Sequence, residues 1–246
     1  MPKKIIGLDP SAQYANVGLN GYVEALGCYE IADACRKHLE TFYKDKCIVI
    51  LSRPSKDAYK DLVYPKNLQK EIQVLNKSNC DIAIAIHTDA GGGRGVTCFK
   101  GGELSKPIGQ ALLDAIKERN ILHIRYSNPI YHFKGKTYLG IIRNTKMPTV
   151  LIECGFHDSA EDIKVIGTSE GRQAVGRALA DGISDYYKWE PGIVKTNPQV
   201  IYDTKTILCN PDLVKGKLRG EIRSIIEALG FNISWNPERQ VAKIAK

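Results

Sequence analysis

Short apolar runs alternate along this chain with longer stretches in which apolar residues recur at helical spacing. The apolar runs predict strands at residues 4–8, 47–51, 81–87, 96–99, 139–143 and 149–152. The helical spacing predicts helices at 23–42, 66–76, 105–119, 160–165 and 170–187. Residues 120–137, rich in Tyr and His, follow neither pattern and are predicted to be irregular.

Strands and helices thus alternate, and several of the strands are apolar on both faces, which is typical of a mostly parallel sheet covered on both sides. We therefore predict an α/β fold: a three-layer domain with a mostly parallel, about six-stranded sheet flanked by helices. The domain is predicted to span residues 1–190. Residues 191–199 read as a linker, and residues 200–246 as a small α+β unit.

Composition narrows the class of partner. Hydrophobic residues make up 43% of the chain and charged residues 25%, and no apolar run approaches the ~20 residues of a membrane span. The net charge of +8 favours an anionic partner, such as nucleic acid, an acidic glycopolymer or a membrane surface. The basic residues are spread along the chain and do not interleave with aromatic residues as in a base-stacking platform, so no nucleic-acid partner is predicted.

The cysteines and the N-terminus bear on the compartment. The seven cysteines form no CxxC pair and mostly lie inside apolar patterns, which predicts small buried hydrophobes made in a reducing compartment. The N-terminal segment turns acidic at Asp9 before a signal-peptide core could form, so no export signal is predicted.

Three residues stand out as candidate chemistry. Glu24 begins the first predicted helix, while His87 and Glu153 end two predicted strands. Because strand ends of one polarity share an edge of a parallel sheet, the topology brings these side chains toward one cleft. Carboxylate and imidazole are ordinary zinc ligands, and a further carboxylate can take a proton from water. A helix-dipole role for Glu24 and purely structural roles for His87 and Glu153 compete with this reading.

A family resemblance adds weight to the zinc reading. Over its first ~188 residues the chain resembles the zinc-dependent N-acetylmuramoyl-L-alanine amidases of the amidase-3 family. The matching segments follow one another in order along the whole domain. They are Ile5-Ile-Gly-Leu-Asp-Pro10, Glu24 with Ile31-Ala32, Leu51-Ser-Arg53, Ala85-Ile-His-Thr-Asp-Ala90, Ile142-Arg-Asn-Thr-Lys-Met-Pro148 and Val150-Leu-Ile-Glu-Cys-Gly-Phe156.

The resemblance implies a Zn²⁺ ion held by two histidines and a glutamate. It also implies attack by water on the amide between the lactyl group of N-acetylmuramic acid and L-alanine, with a second glutamate as general base and then general acid. Carried over by position, Glu24 and His87 are metal ligands and Glu153 is the catalytic carboxylate.

One position departs from the family pattern. The family has a histidine ligand in a D-P-G-H-G turn, where this chain reads Asp9-Pro-Ser-Ala-Gln13 and places Ala12. The chain is then a degenerate relative that binds glycan without cutting it, or Gln13 supplies an oxygen ligand, or a histidine from elsewhere fills the gap. We predict His157 as the replacement ligand, with Gln13 in the second shell or touching substrate. A histidine merely packed at a helix start is the competing reading.

Other polar residues near the same edge have smaller predicted roles. Arg143 is a candidate contact for a stem-peptide carboxylate. His123 and His132 are reserve ligands or substrate contacts, while His38 is predicted to be solvated on the exposed face of the first helix.

The C-terminal unit carries its own pattern. Residues 218–230 predict an amphipathic helix, and residues 231–244 predict a hairpin with the turn Asn236-Pro-Glu-Arg239. This unit is similar to the copper-amine-oxidase-like N-terminal domain of clostridial cell-wall enzymes, which implies an accessory or wall-targeting module. The competing readings are a structural appendage and a unit for self-association.

The predicted function is therefore peptidoglycan hydrolysis by a zinc-dependent N-acetylmuramoyl-L-alanine amidase. The alternative is a non-catalytic wall-binding or regulatory relative that lost its zinc with the turn histidine. An enzyme of this class acts on the cell wall. Without an export signal it would be made in the cytoplasm and released by lysis or through a holin, as an endolysin is, or its signal has been removed.

Overall fold

The chain divides into two compact units, Met1–Glu190 and Pro191–Lys246. The computed structural model describes residues 2–129, 132–133, 136–137, 139–190, 199–202, 205–208, 232–236 and 241–245, with side chains for residues 2–125, 139–190 and 232. The two units are taken separately below.

The first unit is built on a six-stranded sheet, as the sequence predicts. Its strands are β1 (Lys4–Pro10), β2 (Cys47–Leu51), β3 (Ile82–Asp89), β4 (Val96–Lys100), β5 (Ile124–Pro129) and β8 (Thr149–Phe156). The order across the sheet is β2-β1-β3-β8-β4-β5. Neighbouring strands run parallel except β4 and β8, which are antiparallel. The short strands β6 (His132–Phe133) and β7 (Lys136–Thr137) form a separate antiparallel pair.

Helices cover both faces of the sheet. They are α1 (Glu24–Phe42), α2 (Lys66–Lys77), α3 (Lys106–Glu118), α4 (Gly140–Asn144), α5 (Ile163–Ile166) and α6 (Ser169–Tyr187). The larger apolar cluster packs α1, α3 and α6 on one face, and the smaller cluster packs α2 and α4 on the other. Successive residues of β3 point into opposite clusters, which explains why its sequence is apolar throughout.

Two local predictions were wrong. Residues 139–143, predicted as a strand, form most of the short helix α4, where Ile141 and Ile142 are buried side by side. An apolar run this short has no distinguishable period, so packing decides its conformation. The segment predicted to be irregular contains β5, which pairs with β4 at the edge of the sheet. Its sequence has no apolar run from which a strand could be predicted.

The prediction for His38 was also wrong, because this side chain is buried rather than solvated. Its Nε2 lies 3.5 Å from Asp181 of α6, which also accepts a hydrogen bond from Arg119 at 2.7 Å. The cysteine prediction is confirmed for the six cysteines in the described part of the chain, which are all buried and free. Cys209 lies outside the described residues.

Glycine allows α6 to approach α1 closely. A Cβ added at Gly176 would lie 2.6 Å from the Ala34 Cβ and would collide with the Ile31 carbonyl oxygen. We expect Gly176→Val to lower the free energy of unfolding by about 1–3 kcal/mol, because a packed helix interface cannot absorb the added atoms. Urea denaturation measures this change. Ala174→Val, at a half-buried position of the same helix, is the matched control, and an equal loss in both variants would contradict the packing explanation.

The second unit contains a four-stranded sheet. Its strands are β9 (Gln199–Tyr202), β10 (Lys205–Leu208), β11 (Asn232–Asn236) and β12 (Val241–Ala245), in the order β10-β9-β12-β11. β11 and β12 are antiparallel, with Asn236 opposite Val241, as in the predicted hairpin. The predicted helix at 218–230 and the turn residues 237–240 lie outside the described residues. In the part of the chain that the structure describes, no helix has the length and apolar character needed to cross a membrane.

Candidate active site

The candidate site lies where the parallel strands of the first unit end. His87 on β3 is in register with Glu153 on β8, and Glu153 is in turn opposite Thr97 on β4. Glu24 is the first residue of α1, and its Oε1 lies 3.0 Å from His87 Nδ1. These residues are far apart in sequence, but they meet because β3 and β8 end, and α1 begins, at the same edge of the sheet. β3 continues to Asp89 and β8 to Phe156, so His87 and Glu153 lie within their strands rather than at the predicted ends.

The loop after β1 supplies the polar neighbours of this pair. Gln13 Nε2 lies 3.3 Å from His87 Nδ1. The Asn16 amide donates from Nδ2 to Glu24 Oε2 at 2.7 Å and to Gln13 Oε1 at 2.9 Å. The Glu24 main-chain nitrogen donates to the Asn16 carbonyl at 3.0 Å, which ties the start of α1 to this loop. Asn16 was missed in the sequence, because an asparagine in a Gly- and Asn-rich loop has the ordinary signature of a turn.

Glu24 and His87 form a charged pair. Burial raises the pKa of the Glu24 carboxyl, but the adjacent His87 imidazole and the Asn16 hydrogen bond outweigh it, so the pKa lies below its usual range. Burial likewise disfavours the charged imidazole of His87, yet the proximity of Glu24 raises its pKa to about 9. At neutral pH, in the absence of another cation, the pair is carboxylate and imidazolium.

Glu153 has a different environment. Its Oε2 is buried and has no hydrogen-bond partner among the described residues. Burial raises the pKa of Glu153 to about 8; the charge of His87 opposes this shift and that of Glu24 adds to it. A carboxyl with such a pKa can accept or release a proton near neutral pH, which suits an acid–base catalyst.

Two further buried carboxyls, missed in the sequence, lie on the same edge. Burial raises the pKa of Glu71 on α2 to about 9, with a contribution from the charge of Asp9. Burial also raises the pKa of Asp9, at the end of β1, although Ser52, His87 and Arg53 oppose it. Glu71 is therefore protonated and uncharged at neutral pH, so it adds no negative charge near His87.

His157 lies beneath the loop before α1. Its Nδ1 is 3.1 Å from Thr88 Oγ1, and its ring stacks on Tyr22 with centroids 6.0 Å apart. A Cβ at Gly18 would lie 2.8 Å from the His157 Cβ, so only glycine lets the loop pass over the histidine. Gln13 contacts His87 directly and is linked to Glu24 through Asn16.

The donors present fit a metal ion in part. Among the described residues, no three His, Cys, Asp or Glu side chains are grouped so that they could hold a metal. Glu24 and His87 nevertheless offer an oxygen and a nitrogen at one buried point, where Glu24 Oε1 and His87 Nδ1 lie 3.0 Å apart. This pair suits zinc as two of its ligands. The histidine in the role of third ligand stays a prediction.

The remaining predicted contacts lie at the periphery. Arg143 is exposed in the last turn of α4. His123 is exposed just before β5, and its carbonyl accepts a hydrogen bond from Val96. His132 belongs to β6, but its side chain lies outside the described residues.

Comparison with known proteins identifies the family of this chain. Residues 6–185 match the family model Amidase_3, described as N-acetylmuramoyl-L-alanine amidase. The chain belongs to this family. Members of the family are generally zinc-dependent. The match covers the whole first unit except its ends, and it includes every candidate residue of the site.

Individual relatives are more distant. An uncharacterized cell wall amidase of Bacillus anthracis is 30% identical over 147 residues, which cover 56% of this chain and 26% of the relative. The N-acetylmuramoyl-L-alanine amidase CwlM of Bacillus licheniformis is 26% identical over 184 residues, which cover 73% of this chain and 67% of that protein. The chain spans about a quarter to a third of the length of the first curated relatives that it matches.

Solved structures share the fold. The catalytic domain of CwlV, an amidase of Bacillus (Paenibacillus) polymyxa, superposes with a TM-score of 0.63 at 20% identity, covering 75% of this chain and 98% of that domain. Cwp6 from Clostridium difficile gives 0.65 at 24% identity, covering 75% of this chain and 29% of Cwp6. At these identities the superpositions support the predicted α/β architecture.

Proposed function

We propose that this protein hydrolyses peptidoglycan at the amide between N-acetylmuramic acid and L-alanine. The observation that carries the proposal is the meeting of Glu24 and His87 beside Glu153 in a chain of this family. The cell wall is the proposed place of action. The net charge of +8 is consistent with an acidic wall polymer as partner.

The proposed chemistry assigns separate roles to the buried side chains. Glu24 and His87 would hold Zn²⁺, which when bound polarises a carbonyl and makes a water more acidic. Glu153 takes the proton of the attacking water and gives it to the leaving amine of L-alanine, since its pKa of about 8 permits both transfers. The unpartnered Oε2 of Glu153 is free to accept that proton.

His157 is proposed as the third ligand, because Ala12 stands at the family's histidine position and has no side-chain donor atom. A hydrogen bond between Nδ1 and Thr88 Oγ1 would leave Nε2 to face the metal, and histidine ligands commonly bond a second partner in this way. Gln13 is the second candidate, because it already touches His87. If Gln13 is not the third ligand, its proposed role is to contact substrate. Arg143 is also proposed to contact substrate.

Metal analysis distinguishes these assignments. Protein purified without added zinc is expected to contain about one zinc per chain. His157→Ala is expected to lose zinc and wall-lysing activity together, whereas Gln13→Ala keeps the metal. Gln110→Ala, at an exposed glutamine of α3, is the matched control. Loss of zinc in Gln13→Ala alone would transfer the ligand role to Gln13, and absence of zinc from the unmutated protein would favour the non-catalytic, wall-binding relative.

The second unit is proposed to be an accessory or wall-targeting module, on the strength of its resemblance to the copper-amine-oxidase-like N-terminal domain. Self-association through this unit is the competing proposal. Wall binding and sedimentation of the full chain, with Trp235→Ala in β11 as the variant, separate these two roles.

A further inference from the structure

A polar pocket of about 510 Å³ opens beside the glycine-rich loop that follows β3. Charged and polar side chains line it: Arg94, His123, Arg125, Asp158, Ser159 and Glu161. The pocket therefore offers two guanidinium groups and two carboxylates within one small volume. It shares none of its lining residues with the Glu24, His87 and Glu153 group, although both lie at the end of β3 and β8.

The base of this pocket is rigidly built. The Arg125 guanidinium carbon lies 5.1 Å from the centroid of the buried Phe156 ring. A Cβ at Gly93 would lie 2.9 Å from Arg125 Nη1 and would collide with the Phe156 ring, so the loop backbone packs directly against both. Arg125 is thereby held as a planar donor, whose fork matches a carboxylate.

The glycine loop is itself fixed by a carboxylate. Asp158 Oδ2 accepts hydrogen bonds from the main-chain nitrogens of Gly91 at 2.7 Å and Gly92 at 2.9 Å. Gly91 and Gly92 have φ values of +118° and +74°, which favour glycine. Asp158 is therefore engaged in holding the loop. Glu161 is the other carboxylate of the pocket, and it is the candidate for binding a cation.

We propose that this pocket recognises an amino-acid zwitterion, namely the free carboxylate and ammonium at the end of a diaminopimelate side chain in the stem peptide. The inference rests on the proposed function and adds a specificity site to it. Guanidinium groups bind the carboxylate, and the Glu161 carboxylate binds the ammonium group. A lysine at the same position of the stem peptide has the ammonium without the carboxylate, so the arginines discriminate between the two kinds of wall.

The distances along β8 agree with this assignment. Phe156, on which Arg125 stacks, follows Glu153 by three positions, at most about 10 Å along a strand. The diamino acid is the third residue of the stem peptide, two residues beyond the cleaved amide. Two extended residues span roughly 7 Å, and the side chain of the diamino acid adds a comparable reach, so the substrate is long enough to extend from Glu153 past Phe156.

The test compares muramoyl tripeptides that carry either meso-diaminopimelate or L-lysine as third residue. Unmutated protein is expected to hydrolyse the diaminopimelate substrate with a kcat/KM about tenfold higher. Arg125→Gln is expected to remove this preference, and Glu161→Gln to slow both substrates alike. Arg36→Gln on α1, where the arginine pairs with Asp33 and Glu40, is the control for loss of a positive charge.

An unchanged substrate preference in Arg125→Gln would overturn the proposal. If Arg125→Gln does not fold, the exposed Arg94→Gln replaces it, with the same expected loss of preference. If the unmutated protein hydrolyses neither substrate, the proposed function fails. Calorimetry then measures the binding of the two free tripeptides and tests the pocket separately. Tighter binding of the diaminopimelate peptide, lost in the arginine variant, supports it; equal binding of both peptides overturns it.

Discussion

Replacing Glu153 with glutamine is expected to lower the rate of muramoyl-amide hydrolysis by about 10²–10⁴-fold, the usual contribution of a positioned acid–base group. Glutamine has nearly the same shape but cannot take a proton from water or return one to the leaving amine. Release of L-alanine-terminated peptides from purified cell walls measures the effect. Retention of full wall-lysing activity would show that Glu153 is not the base, even in a protein that contains zinc.

The stability of the same variant separates lost chemistry from lost folding. Because burial raises the pKa of Glu153 from 4.5 to about 8, the folded state binds this proton more tightly than the unfolded state. The carboxyl therefore lowers the stability of the metal-free protein as the pH rises from about 4.5 to about 8. Glu153→Gln removes this loss, so at pH 8 the metal-free variant is expected to unfold at a temperature no lower than the unmutated protein. A lower temperature would attribute the inactivity to misfolding.

Replacing Arg53 with methionine is expected to lower the free energy of unfolding by about 2–5 kcal/mol, because each buried acceptor that loses its donor costs about 1–3 kcal/mol. Arg53 is fully buried. It donates to the carbonyl oxygens of Pro10 at 3.1 Å and Ala25 at 2.7 Å, and to the Tyr14 hydroxyl at 2.6 Å. Methionine cannot donate to any of these three acceptors.

The loss is also expected to reach the candidate site. Pro10 precedes the loop that carries Gln13 and Asn16, and Ala25 follows Glu24 in α1, so Arg53 joins the two segments that meet at His87. Urea denaturation and wall lysis, measured on the same samples, check both effects. Arg36→Met serves as the control, since its partners are partly exposed and such pairs contribute about 0–1 kcal/mol. Equal losses in both variants would contradict the role assigned to Arg53.

Much of this architecture could be predicted from the sequence because its main strands are buried on both faces. The apolar runs at β3 and β8 are buried along almost their whole length and have few other stable conformations. The apolar run of β2, at the edge of the sheet, was predicted with the bounds that the structure has. α4 and β5 could not be predicted in the same way. Each is short and lacks a clear period, so contacts with distant residues decide its conformation.

The burial of charged and polar side chains also could not be predicted from the sequence. His38 was taken for a solvated residue, because nothing in the sequence near it reveals that Asp181 of α6 covers it. Arg53 entered only as part of a matching motif, and its hydrogen bonds to the end of β1 and the start of α1 became visible in the folded chain. The pocket around Arg125 was missed for the same reason, since its charges come from three segments that meet only after folding.

The sequence by itself determined the class of the fold and the residue types at its catalytic edge. Apolar periodicity dictates which segments become strands, and parallel strands bring Glu24, His87 and Glu153 to one edge wherever the loops run. Only the tertiary structure decided which side chains touch there. It placed Gln13 against His87 and His157 beneath Gly18, because loop conformation depends on packing and hydrogen bonds between segments that no local pattern records.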